Sequence, residues 1–257
     1  MSEWRADLEV ARAMIRRNFN EIIRVPAGAL PGVIAPTVFM LGTTSVFGEL
    51  ARLPGFTADR FLSFIIPVGL LQAAAFSGAA TGVNLARDLE LGWFDRMLVS
   101  RAPRPVLLGG LLAAASLRAL LPMTVLVAVA LPLGAHFPGV GGLALAIALA
   151  LTFSGIAAAW SITLALKFQT ISAAPLMQMT VFMAVLYTTS YAPEPLLSGW
   201  LQHVAHYNPV TKVVEAARQG FVGAVTWGDT WPALLVLAGL AAVTVSIALR
   251  GMLRLGR

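Results

Sequence analysis

Five stretches of this sequence, residues 29–48, 61–86, 140–166, 168–193 and 230–249, each run for 20 residues or more without a charged side chain. The hydrocarbon core of a bilayer is about 30 Å thick, and a helix crosses it with about 20 predominantly apolar residues. A sixth stretch, residues 113–133, carries one charge, Arg118, and the Pro/Gly-rich segment 131–142 separates it from the next. The expected fold is therefore all-α, an integral membrane protein of six transmembrane helices. Composition agrees: 58% of residues are hydrophobic and 12% charged, against roughly 45–50% and about 25% in soluble domains. The chain reads as a single transmembrane domain over residues 1–257, which excludes an arrangement of soluble domains.

The net charge is +6. The basic residues lie between the apolar runs and form no basic face, so they fit anionic lipid headgroups and not nucleic acid. There is no cysteine, hence no disulfide and no thiolate metal site. The first 27 residues mix acids with arginine and lack the continuous apolar core of a cleavable signal. Placing both termini in the cytoplasm puts 13 of the 18 Lys and Arg on inner flanks and 4 on outer ones, with Arg118 inside a span. That asymmetry predicts cytoplasmic termini. Arg118 itself admits two readings: a cation of the translocation path, or a side chain snorkelling to the headgroups from near the end of its helix. The short distance to the expected helix end favours the second.

Three segments between the spans carry pattern. In residues 1–27, Trp4, Leu8, Ala11, Ile15, Phe19 and Ile22 recur at spacings of three and four with arginines opposite, which predicts an amphipathic helix lying in the interface. The loop 85–104 interleaves charges with Trp93, Phe94, Met97 and Leu98. Apolar anchors rimmed by both signs of charge suit docking to another protein. Segment 194–229 is too polar to span yet holds two helical stripes divided by Asn208-Pro209. This predicts a re-entrant helical hairpin whose broken backbone faces protein or water.

Residues that could carry chemistry are scarce. The two lysines, Lys167 and Lys212, follow no phosphate-loop glycine pattern, so no nucleotide site is expected in this chain. His203 and His206 stand three apart without a metal-ligand motif around them, and no metal or catalytic residue is assigned. No span contains a carboxylate, which weighs against an ion-coupled transporter or channel; a membrane enzyme would have to rest on the two histidines.

With these features in view, the sequence resembles the type-2 ABC exporter permeases of the daunorubicin-resistance class. In segment 87–105, Glu90, Gly92, Arg96 and Pro103 match the stretch after span two; in 193–223, Pro195, Trp200, Asn208, Pro209 and Arg218 stand at the family's spacing. The resemblance implies a second permease copy or paralogue and two separate ABC ATP-binding subunits, which hold ATP and Mg. It also implies a coupling helix built on Glu90, Gly92, Trp93, Phe94, Asp95 and Arg96, and export of a drug, lipid or glycolipid across a bacterial plasma membrane. Six helices are too few to surround a cavity of several hundred Å3. The substrate path is accordingly expected between two permeases, lined by Thr43, Gln72, Ser77, Met179 and Met183. The outer hairpin is expected to bend at Asn208-Pro209, with Trp200 on its first arm and Arg218 holding its second.

Overall fold

The computed structural model describes residues 26–92 and 103–254, which are helical with no strand among them. The helices are α1 (Pro26–Phe47), α2 (Phe61–Glu90), α3 (Arg104–Ala130), α4 (Gly139–Phe168), α5 (Ala174–Leu186), α6 (Gly199–Tyr207), α7 (Val210–Val222) and α8 (Trp227–Arg254). The interfacial helix expected within 1–27, and Trp93, Phe94, Asp95 and Arg96, lie outside the described residues apart from Pro26 and Ala27.

The axis of the bundle is α2, around which α1, α3, α4, α5 and α7 pack, while α8 covers α4 and α7. In its most apolar stretch α2 is 94% buried, against 11% for the span beginning at Gly32 and 17% for α8. The two peripheral helices therefore offer their sides to lipid or to another protein. Lipid supplies no hydrophobic drive between helices, so close contact depends on small residues, and α2 has them. A Cβ placed on Gly78 would fall into the carbonyl of Ser154, and one on Gly82 into the backbone of Ser161, both on α4. The sequence spacing Ala74, Gly78, Gly82 is thus a helix–helix seam.

Two expectations are corrected. The stretch 168–193 is not one long helix. Helix α4 continues to Phe168, the chain turns at Gln169 with φ 53°, and a 3-10 turn at Ile171–Ala173 leads into α5, which has 13 residues. At 1.5 Å per residue that is about 20 Å, less than the core thickness. Among the described residues, five helices are long and apolar enough to cross a membrane. The cause is the run Thr188-Thr189-Ser190, whose hydroxyls compete for backbone carbonyls. Thr188 Oγ1 and Ser190 Oγ both donate to the carbonyl of Val185, at 2.7 and 2.8 Å.

The second correction concerns Arg118. Because α3 begins at Arg104, Arg118 sits fourteen residues, about 21 Å, along its helix. Its Nη2 donates to the carbonyl of Ser77 on α2 at 2.7 Å. The guanidinium turns into the bundle and joins two helices instead of snorkelling. Nearby, Ser116 Oγ donates to the carbonyl of Leu151 at 2.9 Å, adding an α3–α4 link of the same kind.

Candidate functional site: the bend between α6 and α7

The two ends of the bundle can be named by α2. At its Phe61 end, the chain leaving α5 meets the junction of α6 and α7. Pro209 cannot donate a backbone hydrogen bond and stands just before α7. Asn208 does the joining. Its Nδ2 donates to the carbonyls of Ala184 and Tyr187, both at 2.8 Å, and its Oδ1 accepts from the amide of Val210 at 3.0 Å. One side chain thus caps the last carbonyls of α5 and starts α7.

Ten residues on, Arg218 is 7% exposed. Its Nη2 donates to the carbonyl of Thr189 at 2.7 Å and its Nε to the carbonyl of Phe64 at 3.1 Å. The guanidinium carbon lies 3.6 Å above the centre of the Phe64 ring. A buried cation is costly unless it is paired and hydrogen-bonded, and here backbone dipoles and a ring face supply what a carboxylate would. Glu215, one turn earlier, is engaged by Lys212 at 3.0 Å. The non-helical segment 187–190 is consequently held at two points, Tyr187 by Asn208 and Thr189 by Arg218.

Two concavities flank this arrangement. One of about 430 Å3 is lined by Phe64, Thr189, Glu194, Glu215, Arg218 and Gln219. The other, about 490 Å3, lies between α5 and α6 with Met183, Tyr187, His203 and Tyr207 in its wall. Trp200 projects from α6 and meets Tyr187 edge to face, ring centres 6.3 Å apart.

The five residues expected to line a path do not share one wall within the chain. Gln72 and Ser77 are buried in α2, with the amide of Gln72 unpaired among the described residues. Thr43 donates back to its own helix at Phe39, Met179 faces outward and Met183 borders the second concavity. At the opposite end, Glu90 is the last residue of α2 and Gly92 follows with φ 69°. Sequence reasoning missed the role of Thr188-Thr189-Ser190, whose outer hydroxyls donate to Val185 and whose Thr189 accepts from Arg218, although a polar triplet closing an apolar run and followed by Pro193 was the available signal. It also missed the partner of His206, whose Nδ1 lies 3.0 Å from Glu194.

The decisive comparison is with known families: residues 9–222 match the model of the ABC-2 type transporters. The chain belongs to that family. It is a multi-pass membrane protein, the permease of an ABC transporter, and works with an ATP-binding subunit. It is similar to the probable doxorubicin resistance ABC transporter permease protein DrrC of Mycobacterium tuberculosis. In the strains CDC 1551 / Oshkosh and ATCC 25618 / H37Rv alike, identity is 23% over 245 residues, covering 93% of this chain and 87% of the relative.

The permease's bend yields a first expectation. Asn208→Ala removes the donor of two carbonyls, one part-buried and one exposed, and each hydrogen bond contributes about 0.5–1.5 kcal/mol. Asn208→Asp replaces that donor with an acceptor and should lower the thermal midpoint further than alanine does. Unfolding followed in detergent by intrinsic fluorescence checks the order.

Proposed function

We propose that this permease exports a hydrophobic or amphipathic molecule from a bacterial cell, paired with a second permease and two ATP-binding subunits. The observation that carries the layout is the course of segment 171–193. Its first amide, that of Ile171, bonds to Glu90 at one end of α2. Tyr191 packs on Phe47, which packs on Phe61 at the other end, with ring centres 6.1 Å apart in both pairs. A short helix followed by a stretch of tied-down irregular backbone therefore runs the length of the central helix. Irregular backbone is tolerated at membrane depth where it is buried in protein, and Asn208 and Arg218 meet that requirement. Counting 171–193 as a crossing gives six, with both termini on the cytoplasmic side of the plasma membrane, as the arginine distribution favours. The hairpin α6–α7 then enters from outside.

The relatives are named for doxorubicin resistance, which favours a drug among the candidate cargoes, and the uncharged spans fit a hydrophobic or amphipathic one. The path would run between two permeases, since the candidate residues of one chain face different ways. Transport of doxorubicin into inverted vesicles, dependent on ATP and on the co-expressed ATP-binding subunit, tests this reading; ATP-independent uptake or none overturns it.

Docking to that subunit is assigned to the segment after α2, around Trp93, Phe94, Asp95 and Arg96. Truncating an aromatic anchor of an interface commonly costs about 2 kcal/mol or more. Trp93→Ala and Phe94→Ala are each expected to reduce the ATP-binding subunit retained on purification at least tenfold. Asp95→Lys should reduce it less and in a salt-dependent way. Wild-type retention in both aromatic variants moves the docking site elsewhere.

A further inference from the structure

Thirteen residues separate α2 from α3, and the helix that borders the larger concavity, α5, follows α4. The structure connects α2 and α5 directly. Glu90 Oε2, at the last residue of α2, accepts from the amide of Ile171 at 2.9 Å. That amide opens the 3-10 turn Ile171–Ala173 and so the whole α5 segment. The corner is tightly specified. Gln169 holds a left-handed φ of 53°, uncommon for a residue other than glycine. Thr170 Oγ1 accepts from the amide of Ser172 at 3.3 Å, and Gln169 N donates to Ala165 at 2.8 Å.

Further along, the ring of Phe182 stacks on Phe76 of α2, centres 5.8 Å apart. The last carbonyls of α5 are held by Asn208. Helix α5 is thus gripped at its start by the end of α2 and at its finish by the hairpin bend.

We propose that Glu90 is a positioning residue that passes displacement of the segment following α2 on to α5, and through α5 to the α6–α7 bend. This rests on the reading that the ATP-binding subunit pushes on that segment. It differs from a docking role for Glu90, because the carboxylate acts inward, on the permease's own backbone. A single exposed hydrogen bond contributes little to stability, so the expected signature lies in transmission and not in folding.

The bond can be cut from its other partner. Ile171→Pro removes the amide donor and leaves Glu90 in place. Proline fits there, because the first turn of a helix requires no donor from it. The preceding Thr170 already has the extended backbone, φ −139° and ψ 144°, that a residue before proline adopts.

The experiment uses the complete transporter in proteoliposomes, with Met183→Cys as the sole cysteine reporting on the concavity beside α6. Its maleimide labelling rate is compared without nucleotide and with ATP plus vanadate. A change of at least fivefold is expected in the otherwise unaltered chain. Ile171→Pro and Glu90→Ala should each reduce it to less than twofold, and Glu90→Gln, whose Oε1 still accepts, should restore it. Ile171→Pro should also keep wild-type retention of the ATP-binding subunit and basal ATP hydrolysis. A persisting nucleotide response in Ile171→Pro or Glu90→Ala overturns the inference, as does a flat response in the unaltered chain that retains its subunit. Loss of subunit binding in Ile171→Pro overturns it too, making the corner part of the docking surface. A chain that retains no ATP-binding subunit at all refutes the functional reading beneath it.

Discussion

Arg218→Ala is expected to abolish transport while the permease still folds and still binds its ATP-binding subunit. The side chain donates to the carbonyls of Thr189 and Phe64 and lies on the Phe64 ring. Hydrogen bonds to a charged group contribute about 1.5–3 kcal/mol each, and a desolvated cation–π contact about 2 kcal/mol. Against this stands the cost of placing an arginine at membrane depth, about 2.5–3.5 kcal/mol at the centre of a span. The favourable side exceeds the cost by about 1.5–5.5 kcal/mol. Removing the residue therefore lowers stability by a few kcal/mol, less than a cooperative bundle needs to unfold, while the bonds that fix residue 189 to α2 and α7 are gone. Segment 187–190 then loses its order, which is where the transport defect arises. Arg218→Lys should be nearly as damaging, because a single ammonium cannot reproduce the fixed fork that reaches two carbonyls. Substrate-stimulated ATP hydrolysis and vesicle uptake give the functional readout, and thermal unfolding the control. Full transport by Arg218→Ala would make the residue a passive filler.

What the sequence disclosed and what it hid divide along physical lines. Long apolar runs are visible because lipid imposes a simple length rule, and five of the six expected stretches are helices over nearly their whole length: 29–48, 61–86, 113–133, 140–166 and 230–249. The seam of α2 corresponds to Ala74, Gly78 and Gly82 at spacing four in the sequence, and glycine at the last two admits the close approach of α4. The break at Asn208-Pro209 was legible from proline's missing donor, and α6 and α7 flank it. By contrast, α5 read as a full-length span because hydropathy averages over Thr188-Thr189-Ser190, whose hydroxyls divert local backbone bonds. Arg118 was placed near a helix end because the start of α3, rich in Leu and Gly but opened by Arg104 and Pro105, looked like loop. No spacing rule could reveal that Arg118 reaches Ser77, that Arg218 reaches Thr189, or that Glu90 reaches Ile171. Those contacts join segments 29 to 81 residues apart.

Gly82→Ala, the addition of a single methyl group, should be the most destabilising glycine substitution in the bundle. In an isolated helix the same change stabilises by about 1 kcal/mol. Here the new Cβ meets the backbone of Ser161 on α4, and backbone cannot swing aside as a side-chain tip can. Overpacking costs about 1–3 kcal/mol even where neighbours yield, so the net effect is a loss despite the gain in propensity. Gly78→Ala should behave alike, since its methyl meets the carbonyl of Ser154. Two other positions calibrate the series. At Gly69 the nearest atom is Leu126 Cδ1, 2.8 Å away, the end of a flexible side chain; a change there should cost little. At Gly239 on α8 nothing lies within 4 Å, and alanine should be neutral or slightly stabilising. The four thermal midpoints, measured in one detergent by fluorescence-detected size exclusion after heating, should rank Gly239→Ala above Gly69→Ala, and both above Gly78→Ala and Gly82→Ala. Equal midpoints for Gly82→Ala and Gly239→Ala would mean that α2 and α4 are not in backbone contact. The central seam, on which the placement of Arg118 against Ser77 also depends, would then be wrong.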